Sequence, residues 1–226
     1  MALWVLFISI ALTTLVSSLA GAIALRSLGI GVPRIDLGVW APKARFAAAG
    51  SDFSLSPWML SGSVTFKDVG NADLYRDRPG KLLSSFGRPA RTLLSLVGPA
   101  AVLAIACLFA GTEALVAFGS GFEQMLAGTL HPLSHAQAYL SDFDNAVVQS
   151  PISSVGIVLA KLAAFTLLPV PPLNGGRALI ELCRPRDRGH GRIAAVVPGI
   201  GLFVVLFINV MWLVAGGWWL VNGGAI

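Results

Sequence analysis

The sequence predicts an α-helical polytopic membrane protein with about four transmembrane helices. Three observations carry that reading. Apolar residues make up 55% of the chain, charged residues 12%, and the mean hydropathy is +0.77, whereas a soluble domain carries about a quarter charged residues. Uncharged runs of the length that crosses a bilayer core, about 20 residues, recur along the chain. The Lys and Arg residues are segregated into blocks rather than scattered.

The first helix is predicted over residues 2–25. A secretory signal peptide has a shorter apolar stretch preceded by positive charge. Here no base precedes the run and Arg26 follows it, so it reads as a retained helix. Residues 26–92 form a long polar loop. A second helix is predicted over 93–118 and a third over 152–170, interrupted by a lone ionisable residue, Lys161. The last run, 193–221, is long enough for a fourth helix with slack for a break at Pro198-Gly199 or Gly216-Gly217. Between the second and third helices, segment 119–150 carries an amphipathic stretch from Gln124 to Val148. Its apolar positions suit a helix that either lies flat on the outer leaflet or covers the bundle. The chain reads as one membrane domain over 1–226.

Charge orients these helices. Ten of the sixteen Lys and Arg residues fall between Arg26 and Arg91, five between Arg177 and Arg192, and none between Thr92 and Ala160. By the positive-inside rule, the first loop and the Arg177–Arg192 loop are cytoplasmic. Segment 119–150, with Glu123, Asp142 and Asp144 and no Lys or Arg, is then external, as are both termini. The net charge of +5 is a topology signal and suits contact with anionic membrane lipid; it does not point to nucleic acid. Cys107 and Cys183 sit in or beside different membrane segments and make neither a disulfide framework nor a zinc cluster.

Near the end of the third helix the chain reads Leu167-Leu168-Pro169-Val170-Pro171-Pro172-Leu173-Asn174-Gly175-Gly176. This run resembles the N-L-L-P-x-P-P-L-D-G-G signature of the site-2 protease family of intramembrane zinc metalloproteases. The resemblance extends over most of residues 10–110 and 155–182. Ala22-Ile23-Ala24-Leu25-Arg26-Ser27-Leu28-Gly29-Ile30 is similar to the stretch that follows the family's H-E-x-x-H helix. Ile35-Asp36-Leu37-Gly38-Val39-Trp40-Ala41-Pro42-Lys43 is similar to the segment after it, and Phe53 to Val64 to a strand–turn–strand unit. Val97-Gly98-Pro99-Ala100 echoes the family's A-G-P at the second helix. The resemblance implies a site-2-protease-like core with a small β-hairpin or re-entrant segment on the cytoplasmic side.

The same register shows what has changed. The first zinc-binding His falls on Ser17, the general-base Glu on Ser18, the second His on Gly21 and the ligating Asp on Asn174. A hydrolytic zinc site needs three protein ligands and an open position for water. Two His at i and i+4 share one helix face and the Glu between them takes the water proton. Ser17 and Gly21 keep that spacing without the donors, neutral Asn174 lacks the charge, and Ser18 is no base near pH 7. No H-E-x-x-H occurs anywhere in the chain. The resemblance therefore implies a pseudoprotease with no metal, no cofactor and no catalytic residue. In active relatives the proline-rich loop and the sheet-like segment grip an unwound substrate strand, so Pro169, Pro171, Pro172, Asn174 and Gly175 are the expected binding positions for another protein's transmembrane segment. The expected setting is a bacterial inner membrane, and the expected role a subunit or regulator of a larger membrane complex.

Lys161 is the remaining candidate. An ionisable side chain well inside a membrane helix faces a partner, a cavity or the bundle interior, or snorkels to the interface. Asn209 on the fourth helix, or an acid from another subunit, are the partners the sequence offers. Two alternatives compete with the pseudoprotease reading: an active protease with unconventional ligands, and a transporter or channel component using Lys161 and the broken third helix. His131-Pro132-Leu133-Ser134-His135 has metal-ligand spacing with Asp142 or Asp144 as a third donor, but an ordinary surface helix explains it as well. A Ser/His/Asp triad finds no support, since Thr13, Thr14, Ser17 and Ser18 fit helix packing by small residues.

Overall fold

A computed structural model describes residues 2–67, 80–183 and 192–222. The first helix, α1 (Ala2–Ser27), is apolar around its whole circumference and meets no proline, which suits a helix surrounded on most sides by lipid. Its buried positions, Val5, Ser9, Thr14, Ser18, Ala22 and Leu25, form one stripe dominated by small side chains, and such stripes let neighbouring backbones approach closely.

After a turn at Leu28–Gly29 the chain forms a four-stranded sheet where the sequence suggested a hairpin. Strands β1 (Arg34–Val39), β2 (Ala44–Ala48), β3 (Ser51–Leu55) and β4 (Trp58–Thr65) lie in the order β2-β3-β1-β4. Strand β1 pairs parallel with β3 and antiparallel with β4. Alternation decides the two faces. Ile35, Leu37, Phe53, Leu55 and Val64 join Ala22 and Leu25 of α1 in one apolar cluster, while Arg34, Asp36, Arg45, Asp52 and Ser54 occupy the other face. A short 3-10 turn at Leu83–Ser85 leads into the next helix.

Helix α2 (Arg88–Ala110) starts with Pro89 in its first turn, where a proline costs no hydrogen bond, and carries Pro99 buried in its interior. It ends earlier than the predicted residue 118. Gly111 takes a positive φ of 56°, open to glycine and costly for other residues, and the chain reverses into α3 (Glu113–Leu130). The amphipathic stretch is thus divided between the end of α3 and α4 (His135–Gln149). Val147 of α4 packs on Ala2 and Val5 at the start of α1. Gln137 donates 2.9 Å to the carbonyl of Ala215, near the far end of α7 (Arg192–Val221). Helix α4 therefore covers one end of the bundle.

Helix α5 (Pro151–Thr166) is shorter than predicted and lies at the centre, packed on α1, α2 and α3. Val102, Ala106, Ala114, Ala117, Leu159, Ala160 and Ala163 form its core. A bend leads to α6 (Asn174–Cys183), whose main neighbour is α2, reinforced by a 3.3 Å salt bridge from Arg91 to Glu181. Helix α7 is continuous through Pro198-Gly199 and Gly216-Gly217. It buries Gly201, Ile208 and Ala215 at seven-residue spacing and packs chiefly on α3 and α4.

Among the described residues three helices are long and apolar enough to cross a membrane: Ala2–Ser27, Arg88–Ala110 and Gly199–Val221. The third predicted span, 152–170, survives as the 16-residue α5, about 24 Å at 1.5 Å per residue and so short of the roughly 30 Å hydrocarbon thickness.

Candidate functional site

The positions singled out by the sequence fall into two groups, one on α1 and one at the α5–α6 bend. On α1, Ser18 is buried beneath β4. A Cβ built on Gly62 would stand 2.5 Å from the Ser18 Oγ and 2.9 Å from the Thr14 Cγ2, so the strand can lie this close only because residue 62 has no side chain. Ser17, half-buried, points its hydroxyl back to the Thr14 carbonyl at 3.3 Å. Its Cβ would be 3.2 Å from a Cβ on Gly98 of α2. Gly21, one turn further, has open space beside it.

At the bend the backbone closes on itself. Leu167 donates to the carbonyls of Ala163 and Ala164, Leu168 to Phe165, Val170 to Leu168 at 2.7 Å and Leu173 to Val170 at 2.9 Å. These turn bonds are how irregular backbone meets its hydrogen-bonding requirement beside lipid. The two glycines after Asn174 are packed directly on that backbone. A Cβ on Gly175 would collide with the Leu167 carbonyl, and one on Gly176 with Val170 and Pro171. The Pro171 carbonyl in turn rests on Gly201 of α7, which brings α7 against the bend. Pro169 and Pro172 are exposed, Pro171 and Asn174 half-buried. Asn174 opens α6.

No family model matches the chain, and no curated protein gives a significant match.

Chemistry at these positions is limited by their donors. Among the described residues no three His, Cys, Asp or Glu side chains converge in a way that would hold a metal ion. The His131 and His135 rings lie 5.1 Å apart between centroids, tilted by 53°, and both are exposed at the α3–α4 junction. His190 and its basic neighbours lie outside the described residues.

Lys161 lies on α5 with its backbone and side-chain stem against Gly121 of α3. Among the described residues no salt bridge forms to Lys161; the exposed Asp142 of α4 is an opposite charge that acts on it only through space. Asn209 is turned elsewhere: it is exposed and donates 2.7 Å to the Val205 carbonyl of its own helix. Gly98 and Gly201 are the other positions that sequence reading did not single out as sites. Gly98 stands within the A-G-P echo, but nothing local marks Gly201.

Proposed function

We propose that the chain is a catalytically inactive membrane protein of site-2 protease type that binds or scaffolds other membrane polypeptides, as a subunit or regulator of a larger complex. What supports this reading best is the close packing at Ser17 and Ser18. The helix face that would carry the ligands and the base is instead occupied by short hydroxyl side chains, one under Gly62 and the other against Gly98. A zinc hydrolase needs imidazole and carboxylate groups at such positions to lower the pKa of water; serine and glycine supply none. Neutral Asn174 adds no charge at the fourth position.

The binding half of the scaffold is intact in this reading. Strand β4 ends the sheet among the described residues and lies against the middle of α1. Helix α7 meets the proline-rich bend through Gly201 and otherwise packs on α3 and α4. A transmembrane segment of another protein would lodge beside Pro169, Pro171, Pro172, Asn174 and Gly175, with the bacterial inner membrane as the setting and both termini outside. A transport role built on Lys161 is the weaker reading: Lys161 packs its stem against Gly121 of α3, and Asn209 bonds within its own helix instead.

The test is one gently solubilised preparation assayed for zinc and for co-purifying proteins. A stoichiometric membrane partner and no zinc is the expected result. Stoichiometric zinc with chelator-sensitive cleavage of a membrane substrate would refute inactivity, and a bare monomer would refute the scaffold role.

A further inference from the structure

The polar face of the sheet opens a cleft of about 400 Å³ lined by Arg34, Arg45, Phe46, Asp52, Phe53 and Ser54. Two rungs of the sheet bring the charges together: Arg34 beside Asp52, and Asp36 beside Ser54 beside Arg45. Asp36 is engaged twice, by Arg34 at 2.7 Å and by the Ser54 hydroxyl. Arg45 has no ion pair among the described residues and sits on β2, an edge strand exposed along its whole length.

The depth of this cleft follows from the packing on α1. Ser18, beneath Gly62, is nine residues from Ser27, about 14 Å along the helix axis. Gly62 pairs with Leu37, and Arg34 lies three residues back along β1 toward the Ser27 end, about 10 Å. For strands running along the α1 axis, the Arg34 rung would stand about 4 Å, and the Arg45 rung about 11 Å, from the level where α1 ends. Those levels bracket a headgroup layer about 6 Å thick. Beyond the deep end of the sheet stand two exposed aromatic side chains, Trp40 at 82% and Trp58 at 55%, of the kind that membrane interfaces favour.

We propose that this cleft holds the phosphate of an anionic phospholipid from the leaflet at the Ser27 end of α1, with Arg45 as its main contact, Arg34 beside it and Trp40 and Trp58 among the acyl chains. Charge complementarity selects the occupant. The cleft's own lining carries Arg34 and Arg45 against Asp52, Asp36 beside it is held by Arg34 and Ser54, and the guanidinium fork of Arg45 matches phosphate oxygens in bidentate fashion. The site does not depend on what the proline-rich bend binds.

The experiment uses the full chain in neutral detergent with the other four tryptophans changed to Phe, so that fluorescence reports Trp40 and Trp58. Titration with short-chain phosphatidylglycerol is expected to saturate. Arg45→Gln should weaken it about fivefold with an unchanged far-ultraviolet circular dichroism spectrum, Arg45→Lys should recover part of the loss, and Lys81→Gln should behave as the parent. Equal affinity for phosphatidylcholine, saturation by inorganic phosphate alone, or an Arg45→Gln titration matching the parent would each overturn the proposal.

Discussion

Ser18 and Gly62 are in direct van der Waals contact across the α1–β4 interface, with no space between them for even a methyl group. This contact holds the sheet against the middle of a membrane helix and sets how deep the sheet reaches.

Gly62→Ala should therefore destabilise the protein by about 1–3 kcal/mol, the range for forcing an extra carbon into a packed site. Thermal unfolding in mild detergent measures it. Adding Ser18→Ala removes the nearest atom, so the double variant should recover part of the loss. Purely additive effects would show that the two residues do not press on each other.

Gly201→Val places a branched side chain where the Pro171 carbonyl lies. The expected outcome is separation of α7 from the proline-rich bend, read as faster proteolysis between α6 and α7 while α1, α2 and α5 remain protected. Unchanged proteolysis would mean that α7 is held by α3 and α4 alone.

Gln137→Leu deletes the buried bond that joins α4 to the Ala215 carbonyl of α7. Side-chain bonds between membrane helices contribute about 0.6 kcal/mol on average and up to about 1.7, so a loss in that range is expected. Equilibrium unfolding in mixed micelles resolves it.

Lys161→Met and Asp142→Asn should each destabilise by no more than about 1 kcal/mol, because Asp142 is exposed and the pair is screened by water. The double variant should lose less than the sum, the signature of a coupled pair. Strict additivity in the unfolding free energies would remove Asp142 as the partner.

Asn174→Asp restores the carboxylate of the family signature. With Ser17 and Gly21 unchanged, a lone carboxylate gives one ligand of the three a hydrolytic zinc needs, so metal analysis of the purified variant should find zinc well below one equivalent.

Much of this architecture was legible from local chemistry. The start and length of α1, the start of α5 and the continuous apolar run of α7 follow from hydropathy, whereas α2 begins at Arg88, five residues before the expected start. Where the reading departed, competing local features were responsible. Gly111 looked like one more small residue in an apolar run, yet its positive φ ends α2 and creates α3. The two strands expected over Phe53 to Val64 form as β3 and β4 but do not pair with each other: β1 lies between them, and its pairing with β3 spans 17 or so intervening positions, a distance at which sequence pattern carries no register.

By itself the sequence determined that the chain enters a membrane, where the proline-rich bend falls, and which donors stand at Ser17, Ser18, Gly21 and Asn174, because composition and residue identity set transfer energies and coordination chemistry directly. Only the tertiary structure decided what surrounds those positions: Gly62 over Ser18, Gly98 against Ser17, Gly201 under Pro171 and Gly121 against Lys161. Each is a close approach between segments far apart in the chain. Packing at that range depends on how all the helices fit together, and no local periodicity specifies it.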